Sequence, residues 1–121
     1  MTRRFSRVLL AATAFSTATL LFSACGGPNA DSYAHQACLS VHASILLFDK
    51  SQTAHSAKER AKLAAHALST LRNALQPAAL AGGGGGQWEA LEITLSESNR
   101  VAEATLIPAL SAQCAATLQS N

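Results

Sequence analysis

Histidine and cysteine side chains recur within one short segment of the sequence. His35, Cys38 and His42 are three and then four residues apart, which places all three on one side of a helix. Imidazole nitrogens and a thiolate in such an array can bind zinc or copper. This interpretation requires a reduced Cys38, and no carboxylate or methionine occurs from residue 32 to residue 48 to complete the ligand shell. Metal binding is therefore an alternative hypothesis, and the two histidines are more simply interpreted as partly exposed helix residues.

The sequence carries no pattern that is typical of a catalytic site. No serine lies in a G-x-S-x-G or S-x-x-K motif, and the C-x-x-C-H motif of haem attachment is absent. The glycine run at Gly82–Gly86 lacks the G-x-x-x-x-G-K-[ST] order of a phosphate-binding loop and is interpreted as a helix–helix linker. We therefore expect a protein that is not an enzyme and that needs no cofactor.

Length and charge limit the possible functions further. A chain of 121 residues allows one small domain. Its formal net charge is +2, but three of its nine basic residues (Arg3, Arg4 and Arg7) lie at the amino terminus. Without those three, six basic residues face seven acidic ones. No basic patch for nucleic-acid binding remains.

The amino-terminal segment is typical of an exported protein. Three arginines precede the uncharged apolar segment Val8–Phe22, which is followed by the small residues Ser23 and Ala24. A positive start, an apolar segment of about 7–15 residues and small residues before a cleavage site define a secretory signal peptide. A transmembrane helix is disfavoured, since it needs about 20 predominantly apolar residues and several Ser and Thr interrupt this segment. Residues 1–24 are assigned as the signal peptide.

The residues Leu21–Cys25 (LFSAC) resemble the lipobox of bacterial lipoproteins. Small Ser23 and Ala24 precede Cys25, as in that family, although Phe22 stands where leucine is commonest. The resemblance implies that the Cys25 thiol receives a diacylglycerol and that cleavage occurs before Cys25. It also implies attachment to the outward-facing side of the cell membrane, because two acyl chains anchor a protein stably.

Two weaker resemblances concern the export route and the mature body. Arg3 and Arg4 are similar to a twin-arginine signal, but Ser6 stands where that motif has an apolar residue, so we expect Sec export. Residues 25–30 form the lipidated tether. The Ala-rich body after the Cys-Gly-Gly start is similar to small lipoproteins of high-GC Gram-positive bacteria, a resemblance that implies no particular activity.

Residues 31–121 are predicted to form an all-α domain. Alanine, the best helix former, is abundant, glycine is absent from every periodic segment, and no stretch shows the alternation of a strand. The first helix is expected from Asp31, its candidate N-cap, to about Lys50, and Ser56–Glu59 fits the capping box of a second. Pro77 is expected to end or kink that second helix. The predicted inward faces are Ala34, Cys38, Val41, Ile45 and Phe48; then Ala57, Ala61, Ala64, Leu68, Leu71 and Leu75; then Trp88, Leu91, Leu95, Val101, Ala102, Leu106, Leu110, Cys114 and Leu118.

With Cys25 lipidated, Cys38 and Cys114 remain as a pair in an exported chain, and we expect a disulfide between them. In a three-helix bundle they would lie at opposite ends, about 30 Å apart for helices of 20 residues, whereas bridged Cα atoms lie about 4.4–6.8 Å apart. A turn at Ser98–Arg100, or alternatively at Leu106–Pro108, must break the third long segment in two. The predicted fold is a small up-down-up-down helical bundle closed by one disulfide.

The single tryptophan of the chain, Trp88, lies just after the glycine run that includes Gly84. Trp88 is expected to pack at one end of the bundle, and an exposed anchor for a partner is the alternative. The leading functional hypothesis is a non-enzymatic envelope module that binds another protein or has a structural role. Its partner surface, with Trp88 and Gly84, is expected at the end of the bundle where the tether leaves.

Overall fold

The computed structural model describes residues 29–83 and 85–119. Within these ranges every regular element is helical, which confirms the predicted all-α class. The elements are α1 (Ala30–Thr53), α2 (Ala57–Arg72), α3 (Leu75–Gly82), α4 (Glu89–Ser96) and α5 (Glu103–Gln119), with a 3-10 turn at Glu97–Asn99 between the last two.

The starts of the first two helices differ in how they are capped. Asn29 occupies the N-cap position of α1, and its side chain makes no capping hydrogen bond. The prediction that Asp31 caps α1 is wrong, because Asp31 lies inside the first turn of α1. Its carboxylate accepts hydrogen bonds from the side chains of Gln87 and Trp88 instead. The Ser56 half of the capping box predicted for α2 is confirmed: the Ser56 hydroxyl accepts a hydrogen bond from the Glu59 N–H at 3.1 Å.

A local irregularity separates α2 from α3. Asn73 and Ala74 keep right-handed helical dihedral angles but fall outside both helices. The irregularity begins at Asn73, four residues before Pro77. A proline lacks the N–H that would bond the carbonyl four residues earlier, and its ring clashes with that carbonyl. Pro77 itself lies in the first turn of α3, where a missing N–H is tolerated. Pro77 is expected from the sequence to end the second helix or to kink it. The structure shows a short interruption before Pro77, after which the chain is helical again in α3.

The five helices pack as four segments with alternating directions, because α2 and α3 together form the second segment. The α1 helix contacts α2, α3 and α5, and α4 contacts α3 and α5. Cys38 is bonded to Cys114, and a ring nitrogen of His35 lies 3.3 Å from the Thr117 carbonyl oxygen, so α5 runs antiparallel to α1. The chain reverses between α4 and α5, at the first of the two predicted turn positions. Pro108 lies inside α5 without breaking it.

The predicted disulfide is confirmed, and it lies at the centre of the core. The Cα atoms of Cys38 and Cys114 are 5.4 Å apart, and both side chains are buried. Three of the predicted inward residues are exposed. Ala57 and Ala61 face water because α2 packs through the later residues Ala67 and Leu71, and Ala102 is exposed in the turn before α5. The buried cluster consists of Ala37, Cys38, Val41, Leu71, Ala74, Ala78, Leu91, Leu95, Leu106, Leu110 and Cys114.

Several predicted features lie outside the described residues. These are the signal peptide assigned to residues 1–24, the lipidation site Cys25 with most of its tether, and Gly84 of the glycine run. Among the helices that the structure does describe, none combines the length and the apolar character that crossing a membrane requires.

Candidate functional site

A recess opens at the end of the bundle where α1 begins. The start of α1, the loop before α4 and the last turns of α5 meet there and enclose a volume of about 270 Å³. We call it the end recess, and it is lined by Asp31, Gln87, Trp88, Ala116 and Thr117. This is the end at which the tether and the glycine loop are expected from the sequence.

The Asp31 carboxylate holds the recess together. Its Oδ1 atom accepts hydrogen bonds from the indole Nε1–H of Trp88 at 2.7 Å and from the Nε2 amide of Gln87 at 3.1 Å. Asp31 also lies in the first turn of α1, where a negative charge interacts favourably with the helix dipole. One carboxylate therefore fixes two neighbouring side chains of the loop that precedes α4.

Trp88 has both a packing surface and an accessible surface. It occupies the N-cap position of α4, is half-buried, and packs against the hydrophobic core. The packing expected at the bundle end is therefore present. The remaining indole surface forms a wall of the end recess, whereas the partner-binding role of Trp88 and Gly84 stays a prediction.

Glycine is required at two points of the connection between α3 and α4. Gly85 and Gly86 adopt φ angles of +79° and +94°, a region that side chains with a Cβ rarely occupy. At Gly82 an added Cβ would lie 2.9 Å from the Trp88 carbonyl oxygen and 2.7 Å from Oε2 of Glu92. The close approach of α3 and the Trp88 backbone therefore depends on Gly82.

The structure does not assemble the metal site that the sequence allowed. The Cys38 sulfur is bonded to Cys114, so Cys38 has no thiolate that could bind a metal ion. This part of the metal-binding alternative is wrong for the oxidised chain. His35 lies against the Thr117 carbonyl oxygen, and His42 is exposed on α1. Within residues 29–83 and 85–119, no group of three or more His, Cys, Asp and Glu side chains is arranged to hold a metal ion.

The structure contains a buried polar cluster that was not predicted from the sequence. The Ser44 hydroxyl lies 2.8 Å from the Ala67 carbonyl oxygen and also hydrogen-bonds the Glu103 carboxyl group. The Ser44 hydroxyl has one proton, which it can donate to only one of these two oxygens at a time. Burial raises the pKa of Glu103, while the hydrogen bond with Ser44 acts in the opposite direction. The one signal in the sequence is that Glu103 is the sole charged side chain after Arg100.

A second depression runs between α1 and α5 beside the disulfide. Its volume is about 110 Å³. It is mostly apolar, and we call it the α1/α5 groove. Its lining residues are Val41, His42, Ile45, Ser111, Cys114, Ala115 and Leu118.

The end recess has the features of a binding surface. It combines one large apolar ring with a carboxylate, an amide and a threonine residue. No protein-family model, curated protein or solved structure matches this chain.

Proposed function

We propose that this chain is a lipid-anchored protein of the outward-facing side of the cell membrane, and that its helical domain binds another protein without catalysing a reaction. The anchor rests on the resemblance of Leu21–Cys25 to a lipobox. The binding role rests on the end recess.

The position of Trp88 carries the proposal. Tryptophan is among the residues that contribute most to protein–protein affinity, particularly when its ring is held in place before the partner arrives. Here Asp31 holds the indole through Nε1, and the hydrophobic core supports one side of the ring. A partner that covers the end recess would thus meet a large apolar surface whose conformation is already fixed.

The site also lies close to the proposed anchor. Ala30, the first residue of α1, follows Cys25 by five residues. Five residues span at most about 18 Å, so a chain attached at Cys25 keeps the end recess near the bilayer. The proposal therefore favours a partner whose contact surface is itself close to the membrane.

The anchor is tested on the protein isolated from membranes. Mass spectrometry is expected to show a diacylglyceryl-modified Cys25 at a new amino terminus, and Cys25→Ala is expected to leave an unprocessed precursor. A membrane fraction that contains the chain with an intact Met1 end and no lipid would contradict the anchor.

The binding surface is tested by crosslinking in cells that express the anchored chain. A photoreactive amino acid at exposed Gln87, in the end recess, is expected to capture another protein. The same group at exposed Lys62 on α2 is the matched control. Mass spectrometry identifies the captured chain. If Gln87 captures no protein, or only those that Lys62 captures, the end recess is not a partner site.

A further inference from the structure

One side of the bundle is free of charged residues. In α1 no Asp, Glu, Lys or Arg occurs from residue 32 to residue 48, and in α5 none occurs from residue 104 to residue 119. These two helices are neighbours joined by the disulfide. Their outer surfaces therefore form one continuous uncharged side, which we call the α1/α5 face.

The charges of the domain are concentrated elsewhere. Surfaces that face water in small proteins normally carry interspersed charges, and depletion of charge is the compositional signal of an interface core. The α1/α5 face has this depletion, whereas α2, α4 and the turn after α4 do not. They carry Lys58, Glu59, Arg60, Lys62, Arg72, Glu89, Glu92, Glu97 and Arg100.

Two large apolar side chains project from this uncharged side. Leu39 and Leu46 are 50% and 49% exposed, and their separation of seven residues places them one above the other on α1. Exposed Ala43 lies between them. A single exposed leucine needs no explanation, but two aligned leucines within a charge-free surface form an apolar strip next to the α1/α5 groove.

We propose that a second copy of this chain docks on the α1/α5 face. An uncharged face is compatible with itself, because two copies brought together there confront no like charges when the imidazoles of His35 and His42 are neutral. The positions also fit a two-fold axis. An axis that lies between the two copies, perpendicular to α1 and level with His42–Ala43, lays Leu39 of one copy beside Leu46 of the other, and the reverse, as a self-complementary interface requires.

The size of the face sets the strength of this association. The 17 residues of α5 extend about 25 Å, and two helices side by side are about 20 Å wide. The face is therefore about 500 Å² per copy, and the pair reaches about 1,000 Å², which is the lower bound for a specific interface. We expect a weak, reversible dimer that forms at high local concentration.

Photocrosslinking at matched positions tests the proposal in cells that co-express two differently tagged copies of the full chain. A photoreactive amino acid at Leu46 is expected to give a product of twice the monomer mass that carries both tags. Ile93 on α4 is the control position, because it is 56% exposed but lies off the face. Four outcomes would each overturn the proposal. They are adducts from position 46 with lipid alone, adducts with a different protein alone, a dimer yield at Ile93 equal to that at Leu46, and no adduct at all.

A second experiment separates this face from the end recess. With the photoreactive group at Ala43, the double variant Leu39→Lys, Leu46→Lys is expected to lose the dimer product. The control double variant Leu80→Lys, Ile93→Lys changes two leucine-sized side chains of similar exposure and is expected to retain it. Both variants should keep the helical circular-dichroism signal and the capture from Gln87. A dimer product that survives the two α1 substitutions contradicts the proposed interface.

Discussion

The indole Nε1–H of Trp88 donates a hydrogen bond to Oδ1 of Asp31 at 2.7 Å, and so joins the start of α4 to the first turn of α1. The two residues are 57 apart in sequence, with most of α1 and all of α2 and α3 between them. The bond closes the end of the bundle where the start of α1, the loop before α4 and the last turns of α5 meet. It also fixes the ring that forms one wall of the end recess.

We predict that the bond between Asp31 and Trp88 has a measurable coupling energy. Trp88→Phe keeps an aromatic ring in contact with the core and removes the donor, and it is expected to lower the free energy of unfolding by about 1 kcal/mol. A double-mutant cycle with Asp31→Ala, measured by urea unfolding, is expected to give a coupling energy of similar size. Strictly additive effects would show that the two side chains do not interact.

The disulfide is expected to make the largest single contribution to stability. Its cysteines are 76 residues apart, and closing a loop of that size is worth about 4 kcal/mol in the chain-entropy treatment. The double variant Cys38→Ala, Cys114→Ala should lose about that much free energy of unfolding, measured by urea denaturation. A loss below about 1 kcal/mol would mean that the unfolded chain is already compact without the bond.

Stability is expected to fall as pH rises through the titration of Glu103. The folded-state pKa of this carboxyl is raised above the ordinary value of 4.5, so the fold favours the protonated form. The contribution of the Glu103 carboxyl to the free energy of unfolding is therefore fully present below its unfolded-state pKa. It is lost as pH rises through its folded-state pKa. Glu103→Gln keeps the shape without the charge and should be more stable than the natural chain at neutral pH.

The pH dependence of the Glu103 variant provides the control for that prediction. At pH values well below 4.5 the natural carboxyl is protonated in both the folded and the unfolded state, so the stabilities of the two proteins should differ little there. Thermal unfolding monitored by circular dichroism across the pH range measures the difference. If the gain in stability of Glu103→Gln is the same at every pH, it does not arise from this titration.

Gly82→Ala is expected to destabilise the junction of α3 and α4. The added Cβ would approach the Trp88 carbonyl oxygen and the Glu92 carboxylate, and overpacking of this kind costs about 1–3 kcal/mol. Adding Glu92→Ala to the variant should restore only part of the loss, because the backbone carbonyl remains. Unfolding free energies of the single and double variants check this. Full restoration would assign the whole clash to the flexible side chain.

Local patterns in the sequence predict most of the fold. Apolar spacing identifies the helical segments, Ser56 and Glu59 mark the start of α2, and the distance limit of a disulfide between Cys38 and Cys114 requires the turn before α5. Each of these arguments concerns residues close in sequence or one pair whose separation is fixed by a covalent bond. The helix order and the antiparallel pairing of α1 with α5 follow from them.

The remaining features depend on which side chains meet in three dimensions. Alanine favours a helix on its exposed side as well as on its buried side, so the spacing of Ala57 and Ala61 could not show that both face water. The hydrogen bond from Trp88 to Asp31 and the pairing of Ser44 with Glu103 join distant segments without any local signature. The candidate site is therefore a product of tertiary structure, although its end of the bundle could be predicted.

The covalent link between α1 and α5 also determines how the domain responds to mechanical force. When the chain is pulled from its two ends, tension passes from Cys38 to Cys114 through the sulfur atoms, and the intervening segment bears none of it. That segment of 76 residues would extend to about 270 Å if it were free. Only the first turns of α1 and the last turn of α5 can be unwound by stretching. A force-extension recording of the oxidised protein should lack this length, and reduction should release it.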